Sequence, residues 1–157
     1  MIILGIDPGM ARTGYGIIAK QGNNLTCVDF GCISTPAKME TAPRLRLVRK
    51  GIIDVIYKYG PEVAAIEKLF FAKNVKTALS VAHARGVILE AVASRNLPIY
   101  EYTPLQVKQA ATSYGRAEKS QVQKMVKVLL ALKEIPKPDD AADALAIAIC
   151  CANTCPN

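Results

Sequence analysis

The sequence predicts an α/β fold, in which helices flank one five-stranded mixed sheet of three antiparallel and two parallel strands. Two observations lead to this prediction. Short apolar runs separated by tight turns fill the first 34 residues, and from residue 45 onwards helical and extended apolar spacing alternate. Tight turns join antiparallel strands, whereas a strand–helix–strand unit makes its two strands parallel. A chain of 157 residues has room for one such domain, which we expect to span 1–157.

Turn residues bound the first three predicted strands. Residues 2–6 form an apolar run that ends at Asp7, and Asp7-Pro8-Gly9 favours a turn because proline fixes φ and glycine accepts positive φ. The segments 13–19 and 25–34 are the next extended stretches, and glycine and asparagine at 22–24 predict the turn between them. Strands connected in this way are expected to pair antiparallel.

Helical spacing begins after the third strand. Apolar residues from 45 to 59 recur every three or four positions, and Gly60-Pro61 ends that helix. Residues 63–66 are typical of a buried strand that ends at Glu67. Residues 75–94 predict a helix that is apolar around most of its circumference, which indicates burial in a core or at a subunit interface. Residues 98–102 predict the last strand.

Three further helices complete the predicted order β-β-β-α-β-α-β-α-α-α. Thr103-Pro104 suit the N-cap and first position of the first of these helices. The second is expected over 118–132, with an apolar face opposite its lysines. The third begins near Asp139-Asp140 and runs through alanine-rich sequence to about Cys150.

The composition excludes several classes of protein. The longest apolar run, 144–152, is far shorter than the roughly 20 residues of a membrane span, and no basic segment of a signal peptide opens the chain. Five cysteines, an odd number without zinc-ligand spacing, predict reduced thiols in the cytosol. Twenty Lys+Arg against 13 Asp+Glu give a net charge of +7, which favours nucleic acid, an anionic membrane surface or a phosphorylated substrate as partner.

Four acids occupy positions that a sheet and a helix can bring together. Asp7 and Glu67 end the first and fourth predicted strands, so parallel neighbouring strands would place both carboxylates at one sheet edge. Asp140 and Asp143 share a face near the start of the last helix. Such a cluster is tolerable when divalent cations neutralise it, and its oxygen ligands suit Mg²⁺ or Mn²⁺. A basic surface with an acidic metal site is typical of a two-metal nuclease.

Each of these acids also has an ordinary interpretation. An Asp before Pro-Gly is a common turn residue, a Glu at a strand end often only faces solvent, and Asp139 or Asp140 could cap the last helix. Asp143 fits this view least well, because a charge within alanine-rich sequence is costly unless it is paired or metal-bound. From pattern alone, both the shared site and the choice between Asp139 and Asp140 stay open.

Five sequence blocks occur in the order of a known family. They are GIDPG with TGYG at 5–9 and 13–16, AIEKLF at 65–70, ARGV at 84–87, AEKSQV at 117–122 and DAADALA at 140–146. On these blocks the chain resembles the RuvC-type Holliday junction resolvases, the crossover junction endodeoxyribonucleases of bacteria, over roughly residues 1–149. The resemblance implies a ribonuclease H-like fold and paired, symmetric nicking of four-way DNA junctions in homologous recombination and DNA repair.

The resemblance also assigns roles to individual residues. The family's metal-binding acids match Asp7, Glu67, Asp140 and Asp143, which implies two Mg²⁺ or Mn²⁺ ions per active site. The Asp-x-x-Asp pattern selects Asp140 over Asp139. Lys119 matches a catalytically important basic residue, which we interpret as stabilising charge on the scissile phosphate. On pattern alone, it is a solvated lysine.

The family's DNA contacts carry over less directly. Phe70 matches the aromatic residue at the DNA crossover, where stacking on an unpaired base contributes about 1–3 kcal/mol. Phe71 follows it directly, so the choice of ring stays open, and periodicity alone favours a core position for Phe70. Basic or polar DNA contacts are expected at Arg12, Lys73, Asn74, Lys76, Lys108, Arg116 and Lys124. Without the resemblance, the same residues are interpreted as solvated surface residues.

The resemblance also implies partners. It explains the apolar helix that starts near Ala78 and ends near Ala93 as a homodimer face, and two active sites then match the symmetry of a junction. We expect His83 on that helix to pack or donate a hydrogen bond rather than bind metal. A junction branch-migration motor complex is a further expected partner, in the bacterial cytoplasm.

Three competing interpretations remain at this point. A related nuclease acting on other nucleic acid, such as RNA, is disfavoured by the Asp140/Asp143 pair and the Phe70 block. A junction-binding scaffold without activity is disfavoured because all four acids are present. An actin-like ATPase also begins with a strand and Asp-x-Gly, but it needs two such domains, which this length excludes.

Overall fold

A computed structural model of the chain has the element order that the sequence predicts. It describes residues 1–69 and 75–155, without the side chains of 75–77. The elements are β1 (Ile2–Asp7), β2 (Arg12–Gln21), β3 (Asn24–Ser34), α1 (Thr41–Tyr59), β4 (Val63–Glu67), α2 (Val75–Ala93), β5 (Ile99–Tyr102), α3 (Pro104–Thr112), α4 (Lys119–Leu129) and α5 (Asp139–Thr154).

Two helix ends differ from the prediction. The helix α4 stops at Leu129 instead of residue 132, because Ala131 adopts a positive φ of 49° that leaves the helical region. The helix α5 continues past Cys150 to Thr154. Two predicted boundaries are confirmed: Gly60 ends α1 in a left-handed conformation, and Thr103 caps α3 by accepting a hydrogen bond from the Gln106 amide.

The five strands form one mixed sheet in the order β3-β2-β1-β4-β5. The strands β1, β2 and β3 pair antiparallel, and β1, β4 and β5 pair parallel, as predicted. In the ladder between β1 and β4, Ile6 lies opposite Ile66. The next residue on each strand, Asp7 and Glu67, therefore emerges at the same edge of the sheet.

Helices cover both faces of the sheet. On one face, Ile3 and Ala65 pack with buried residues of α3, α4 and α5. On the other face, Leu4 and Ile66 pack with buried residues of α1 and α2. Successive side chains of a strand point to opposite faces. Asp7, two residues after Gly5, and Glu67, two after Ala65, therefore point to the face that α5 covers.

The helix α5 lies directly on glycines of β1 and β2. A Cβ added at Gly5 would lie 2.1 Å from the carbonyl oxygen of Ala144, and one added at Gly14 would lie 2.0 Å from that of Asp140. Gly16, which lies opposite Gly5 in the ladder, would meet the side chain of Leu145 in the same way. Without side chains at these positions, the backbone of α5 contacts the sheet.

The cysteines are thiols, as predicted. All five are free, and Cys150 and Cys151 lie within the core on α5. Burial raises the pKa of Cys150 to about 11 and is the main reason that the pKa of Cys151 rises to about 12. These thiols act as small hydrophobic residues. In the described part of the chain, no helix combines the length and apolar character of a membrane span.

The glycine contact predicts a large effect of one methyl group on stability. We expect Gly5→Ala to lower the free energy of unfolding by about 2 kcal/mol or more, because its Cβ overlaps backbone atoms that cannot rotate away. Gly115→Ala is the matched control, since its Cβ meets only the exposed side-chain end of Leu105 within 3 Å. Urea unfolding of both variants measures the difference, and equal losses would contradict the close-contact argument.

Candidate active site

Two neighbouring parallel strands provide the first two acids of the candidate site. Asp7 is the last residue of β1 and Glu67 is the last residue of β4. Their strand partners on the same face are Gly5 and Ala65, which lie under α5. The expected convergence of these two carboxylates at the carboxyl edge of the sheet is therefore confirmed.

The first two turns of α5 provide two more acids. Pro138 occupies the N-cap, and Asp139 and Asp140 lie in the first turn without capping the helix through a side chain. The capping interpretation is therefore wrong for both. The side chains of Asp140 and Asp143 are 31% and 32% exposed, whereas that of Asp139 is 65% exposed. Asp140 and Asp143 thus share the inward side of the helix, and Asp139 faces solvent.

A cleft of about 270 Å³ opens between the sheet edge, α3, α4 and α5. Its charged lining consists of Asp7, Glu67, Lys108, Lys119 and Asp143, and its apolar lining consists of Pro104, Val107, Val122, Ala146 and Ile147. Asp140 lies outside this lining, where its Oδ2 is 3.7 Å from Nε of Arg12. The cleft therefore holds three acids, with the fourth at its side.

The electrostatics of the cleft show that these acids are close to one another. Burial is the largest cause and the negative charges of Asp143, Glu67 and Asp140, in that order, add to it, so that together they raise the pKa of Asp7 to about 8. The positive charge of Lys119 lowers the pKa of Asp7, but by less than burial and the three acids raise it. The protein without a bound cation therefore disfavours full ionisation of this cluster.

Glu67 and Asp143 show the same conflict between burial and charge. Burial raises the pKa of Glu67, the charge of Asp143 raises it further, and Lys108 lowers it. Burial also raises the pKa of Asp143, although the hydrogen bond from Lys119 offsets part of this effect. The cluster thus carries more negative charge than its two lysines compensate.

Lys119 is held at the cleft by local structure. It is the first residue of α4, which begins with a capping box between Glu118 and Gln121. Its Nζ lies 2.8 Å from Oδ2 of Asp143 and 3.5 Å from Oδ2 of Asp139. Lys119 therefore pairs with two acids of α5, although 53% of its side chain is exposed.

Comparison with known proteins identifies the family of this chain. A family model described as crossover junction endodeoxyribonuclease RuvC matches residues 3–151. The chain belongs to the RuvC family. It is 60% identical to a crossover junction endodeoxyribonuclease RuvC of Halothermothrix orenii over 98% of this chain and 93% of that protein. A protein of the same name from Clostridioides difficile is 55% identical over 98% of this chain and 91% of its own length.

Solved structures agree with this assignment. Thermus thermophilus RuvC is 35% identical and has a TM-score of 0.89, with 97% of this chain and 93% of that chain covered. T. thermophilus RuvC in complex with Holliday junction substrate has a TM-score of 0.91 at the same identity and coverage. The ribonuclease H-like fold that the RuvC resemblance implied is therefore confirmed.

The structure describes four of the residues expected to contact DNA with their side chains. Lys108 lies on α3 in the cleft, Arg12 lies beside Asp140, and Arg116 and Lys124 are exposed. Phe70, Lys73 and Asn74, like Phe71, fall outside the described residues. Lys76 lies in α2, but its side chain is outside the description.

The acids of the cleft are a suitable donor set for a hard divalent cation. They present only carboxylate oxygens, the ligand type that Mg²⁺ and Mn²⁺ prefer. The excess negative charge that raises the pKa of Asp7 is what such a cation would relieve. Within residues 1–69 and 75–155, no three acidic, Cys or His side chains are already gathered at metal-binding spacing, and Asp143 is engaged by Lys119.

Sequence reasoning missed Arg85 in α2. Its Nε donates to the backbone carbonyl of Glu67 at 3.0 Å, and its guanidinium pairs with the carboxylate of Glu101. Arg85 belongs to the block ARGV that carries the family resemblance, but no role was assigned to it. The available signal was a single arginine within a helix that is otherwise mostly apolar.

The raised pKa of Asp7 predicts a pH-dependent gain in stability for Asp7→Asn. A carboxyl whose pKa is higher in the folded state than in the unfolded state makes stability fall as pH rises between the two values. For Asp7 these values are 3.8 and about 8. In EDTA, we expect Asp7→Asn to gain at least about 1 kcal/mol in free energy of unfolding near pH 8, and less near pH 5.

Denaturant unfolding at several pH values measures this gain. Asp54→Asn is the matched control, because Asp54 is exposed and lies in an i,i+4 pair with Lys50. We expect its stability to follow that of the wild type at every pH. A gain for Asp7→Asn that is absent, or equal at low and high pH, would show that Asp7 is not destabilised by its surroundings.

Proposed function

We propose that this protein resolves four-way DNA junctions by paired symmetric nicks, through two-metal-ion phosphodiester hydrolysis, in homologous recombination and repair. The observation that carries the proposal is the cleft in which Asp7, Glu67 and Asp143 face Lys119 and Lys108. Family membership supports the same activity, since the relatives are crossover junction endodeoxyribonucleases by name. The proposed catalytic unit is one domain that spans 1–157.

The proposed cofactor is Mg²⁺, with Mn²⁺ as an alternative, and two ions per active site. Asp7, Glu67, Asp140 and Asp143 would hold them, because these acids meet at the sheet edge with uncompensated charge. When bound, such ions lower the pKa of a water molecule and stabilise the leaving oxygen of a phosphodiester. The residues of this chain orient the DNA phosphate beside that site.

Lys119 is the proposed electrostatic catalyst. In the DNA-free protein its ammonium is 2.8 Å from Asp143, so it already lies at the cleft before a phosphate arrives. We propose that it donates to a phosphate oxygen at the scissile bond and stabilises the charge that develops there. Lys108, whose charge acts on Glu67, is the second proposed basic residue of the cleft.

The junction is the proposed substrate because charge and family point to DNA. The solved complex of T. thermophilus RuvC contains a Holliday junction substrate, and that protein is 35% identical to this chain. The net charge of +7 favours DNA phosphates as partners. The proposed DNA contacts outside the cleft are Arg12, Phe70, Lys73, Asn74, Lys76, Arg116 and Lys124. Among them, Phe70 is proposed to stack on a base at the crossover.

A homodimer through α2 is the proposed assembly. One side of α2, with Ala84 and Ile88, is buried against α1 and the sheet. On the other side Leu79, His83 and Gly86 are exposed in the single chain, so we propose that His83 packs against the partner copy. A Cβ at Gly86 would meet nothing within 4 Å. The exposed side chain of Leu79 and the open space at Gly86, two turns further along α2, would allow a second helix to pack there.

The proposed substrate also indicates where the dimer would act and which partner it would have. A junction is two-fold symmetric, so two copies of the cleft match two strands of like polarity. The relatives from Halothermothrix orenii and Clostridioides difficile are bacterial proteins. We therefore propose the bacterial cytoplasm as its location and a branch-migration motor complex as the partner that delivers junctions.

A cleavage assay tests the proposed function. With Mg²⁺, we expect the protein to introduce paired nicks into a four-way junction but not into matched duplex DNA or RNA. Asp7→Asn should lower the nicking rate by at least about a hundredfold while junction binding stays unchanged, because the change removes a metal ligand and no DNA contact.

Asp54→Asn controls for the loss of one surface carboxylate and should cleave like the wild type. Mapping the products at nucleotide resolution establishes whether the nicks are symmetric. Full activity of Asp7→Asn would refute the proposed metal site. Preferential cleavage of RNA would identify a different nuclease, and junction binding without any nicking in Mg²⁺ or Mn²⁺ would identify a scaffold.

The dimer face predicts a difference between two exposed apolar residues. Leu79 on α2 is 57% exposed and Val128 on α4 is 67% exposed in the single chain. We expect Leu79→Glu to shift the protein towards monomer in analytical ultracentrifugation, because it buries charge at the interface. Val128→Glu should remain dimeric. If Leu79→Glu leaves the dimer intact, α2 is not the interface.

A further inference from the structure

The peptide unit that joins Glu67 to Lys68 is fixed by hydrogen bonds on both sides. Its N–H, from Lys68, donates to the carbonyl oxygen of Tyr102 on β5 at 2.7 Å. Its carbonyl, from Glu67, accepts from Nε of Arg85 on α2 at 3.0 Å. This peptide lies at the end of β4, beyond the last paired residues of β1 and β4. Because β1 has no residue paired with Glu67, Arg85 provides the hydrogen bond that the carbonyl of Glu67 would otherwise lack.

Arg85 is itself oriented by a second contact. Its guanidinium pairs with the carboxylate of Glu101, a residue of β5 that lies opposite Ile66 in the ladder. The Arg85 side chain is only 14% exposed and that of Glu101 is 41% exposed, so the arginine end of this pair is held inside the protein. One guanidinium thus connects α2, the end of β4 and β5. The planar fork of arginine suits this task, because it offers several donors in a fixed geometry.

The contact reaches Glu67 from the side of the sheet opposite the cleft. The carboxylate of Glu67 lines the cleft on the face that α3, α4 and α5 cover. The helix α2 packs on the other face, with Ile88 and Val92 against Ile66 and Ala64. Arg85 therefore does not enter the cleft from that face. It acts on the backbone from which the Glu67 carboxylate projects.

From this geometry we infer that Arg85 is a positioning residue for the metal site, which fixes the Glu67 peptide so that its carboxylate points at Asp7 and Asp143. The inference rests on the proposed function, since it makes Glu67 a metal ligand. Groups that hold a ligand in place typically change metal affinity by about 10–100-fold when they are removed. The role extends the active site to α2, the helix proposed for the dimer.

Direct measurement of metal affinity tests this role without relying on cleavage. We expect Arg85→Ala to weaken Mn²⁺ binding to the DNA-free protein by about tenfold or more, measured by electron paramagnetic resonance. The Mg²⁺ concentration for half-maximal single-turnover cleavage should rise by a similar factor, and high Mg²⁺ should restore much of the rate. Junction affinity in EDTA should stay within about twofold of wild type, because among the described residues the hydrogen bonds of Arg85 go to the Glu67 backbone and to Glu101, neither of which is a proposed DNA contact.

Arg49→Ala is the matched control for losing an arginine contact on α2. Arg49 of α1 pairs with Glu90 of α2 at 2.7 Å, so its removal also breaks an ion pair to this helix but leaves Glu67 untouched. We expect Mn²⁺ affinity to be unchanged in Arg49→Ala. An equal loss in both variants would mean that α2 acts only through general stability, and wild-type affinity in Arg85→Ala would also overturn the inference.

Conservative variants keep the test decisive if Arg85→Ala does not fold. Arg85→Lys keeps the charge but lacks the planar fork, and Glu101→Gln keeps the carbonyl contact of Arg85 while removing its charge partner. We expect both to fold and to bind Mn²⁺ more weakly than wild type, with Arg85→Lys affected more. Unchanged Mn²⁺ affinity in both would refute the role.

The outcomes also separate this inference from the proposed function. If the wild type binds Mn²⁺ but does not cleave junctions, the proposed function fails while the effect of Arg85 on metal affinity remains measurable. If junction cleavage is normal and Arg85→Ala leaves Mn²⁺ affinity unchanged, only the inference fails. A wild type that binds no Mn²⁺ overturns both.

Discussion

The direct contact between α5 and the glycines of β1 and β2 is the constraint on which the site depends. Because Gly5, Gly14 and Gly16 lack side chains, the helix backbone reaches the sheet instead of resting on a layer of side chains. Its first two turns therefore lie over the edge where Asp7 and Glu67 emerge. Close packing is here a condition for the cluster of acids, because a helix held farther from the sheet would carry Asp140 and Asp143 away from the strand acids.

This arrangement gathers like charges in a partly buried cleft, which costs stability. The pKa of Asp7, raised to about 8, reflects that cost in the metal-free protein. Lys119 offsets part of it through Asp143, and the fixed N-terminus of α4 keeps the lysine there. A site that is unfavourable without cations is favourable for binding them, so local instability and metal affinity have the same electrostatic origin.

Most of the fold could be predicted because its signals are local. Changes between extended and helical spacing mark every element, and turn residues such as Gly60 mark several boundaries. The end of α4 was wrong because apolar residues continue past Leu129 while the backbone turns at Ala131. The glycines of β1 and β2 were seen as strand residues, since only the folded chain shows what lies above them.

The residues of the site could be predicted where the type and sequence position of a single residue indicate its chemistry. Parallel pairing of β1 and β4 brings Asp7 and Glu67 together. The order of elements favours the parallel direction of β4, but only the structure shows that β1 is its neighbour. The choice between Asp139 and Asp140 needed the rotation of α5, which exposure of the two side chains shows directly. Arg85 could not be predicted, because its role is a contact with a backbone carbonyl 18 positions away.

The cleft is therefore supported from both faces of one sheet. On the covered face, α5 and α4 supply Asp143 and Lys119 as side chains. On the opposite face, α2 supplies Arg85, which donates a hydrogen bond to the backbone carbonyl of Glu67. Since α2 also exposes Leu79 and Gly86 as the proposed dimer contact, a partner copy would contact the same helix that carries Arg85, the residue inferred to position the proposed metal ligand Glu67. Such a connection would let assembly of two copies improve each cleft, because a better-fixed ligand binds its cation more tightly.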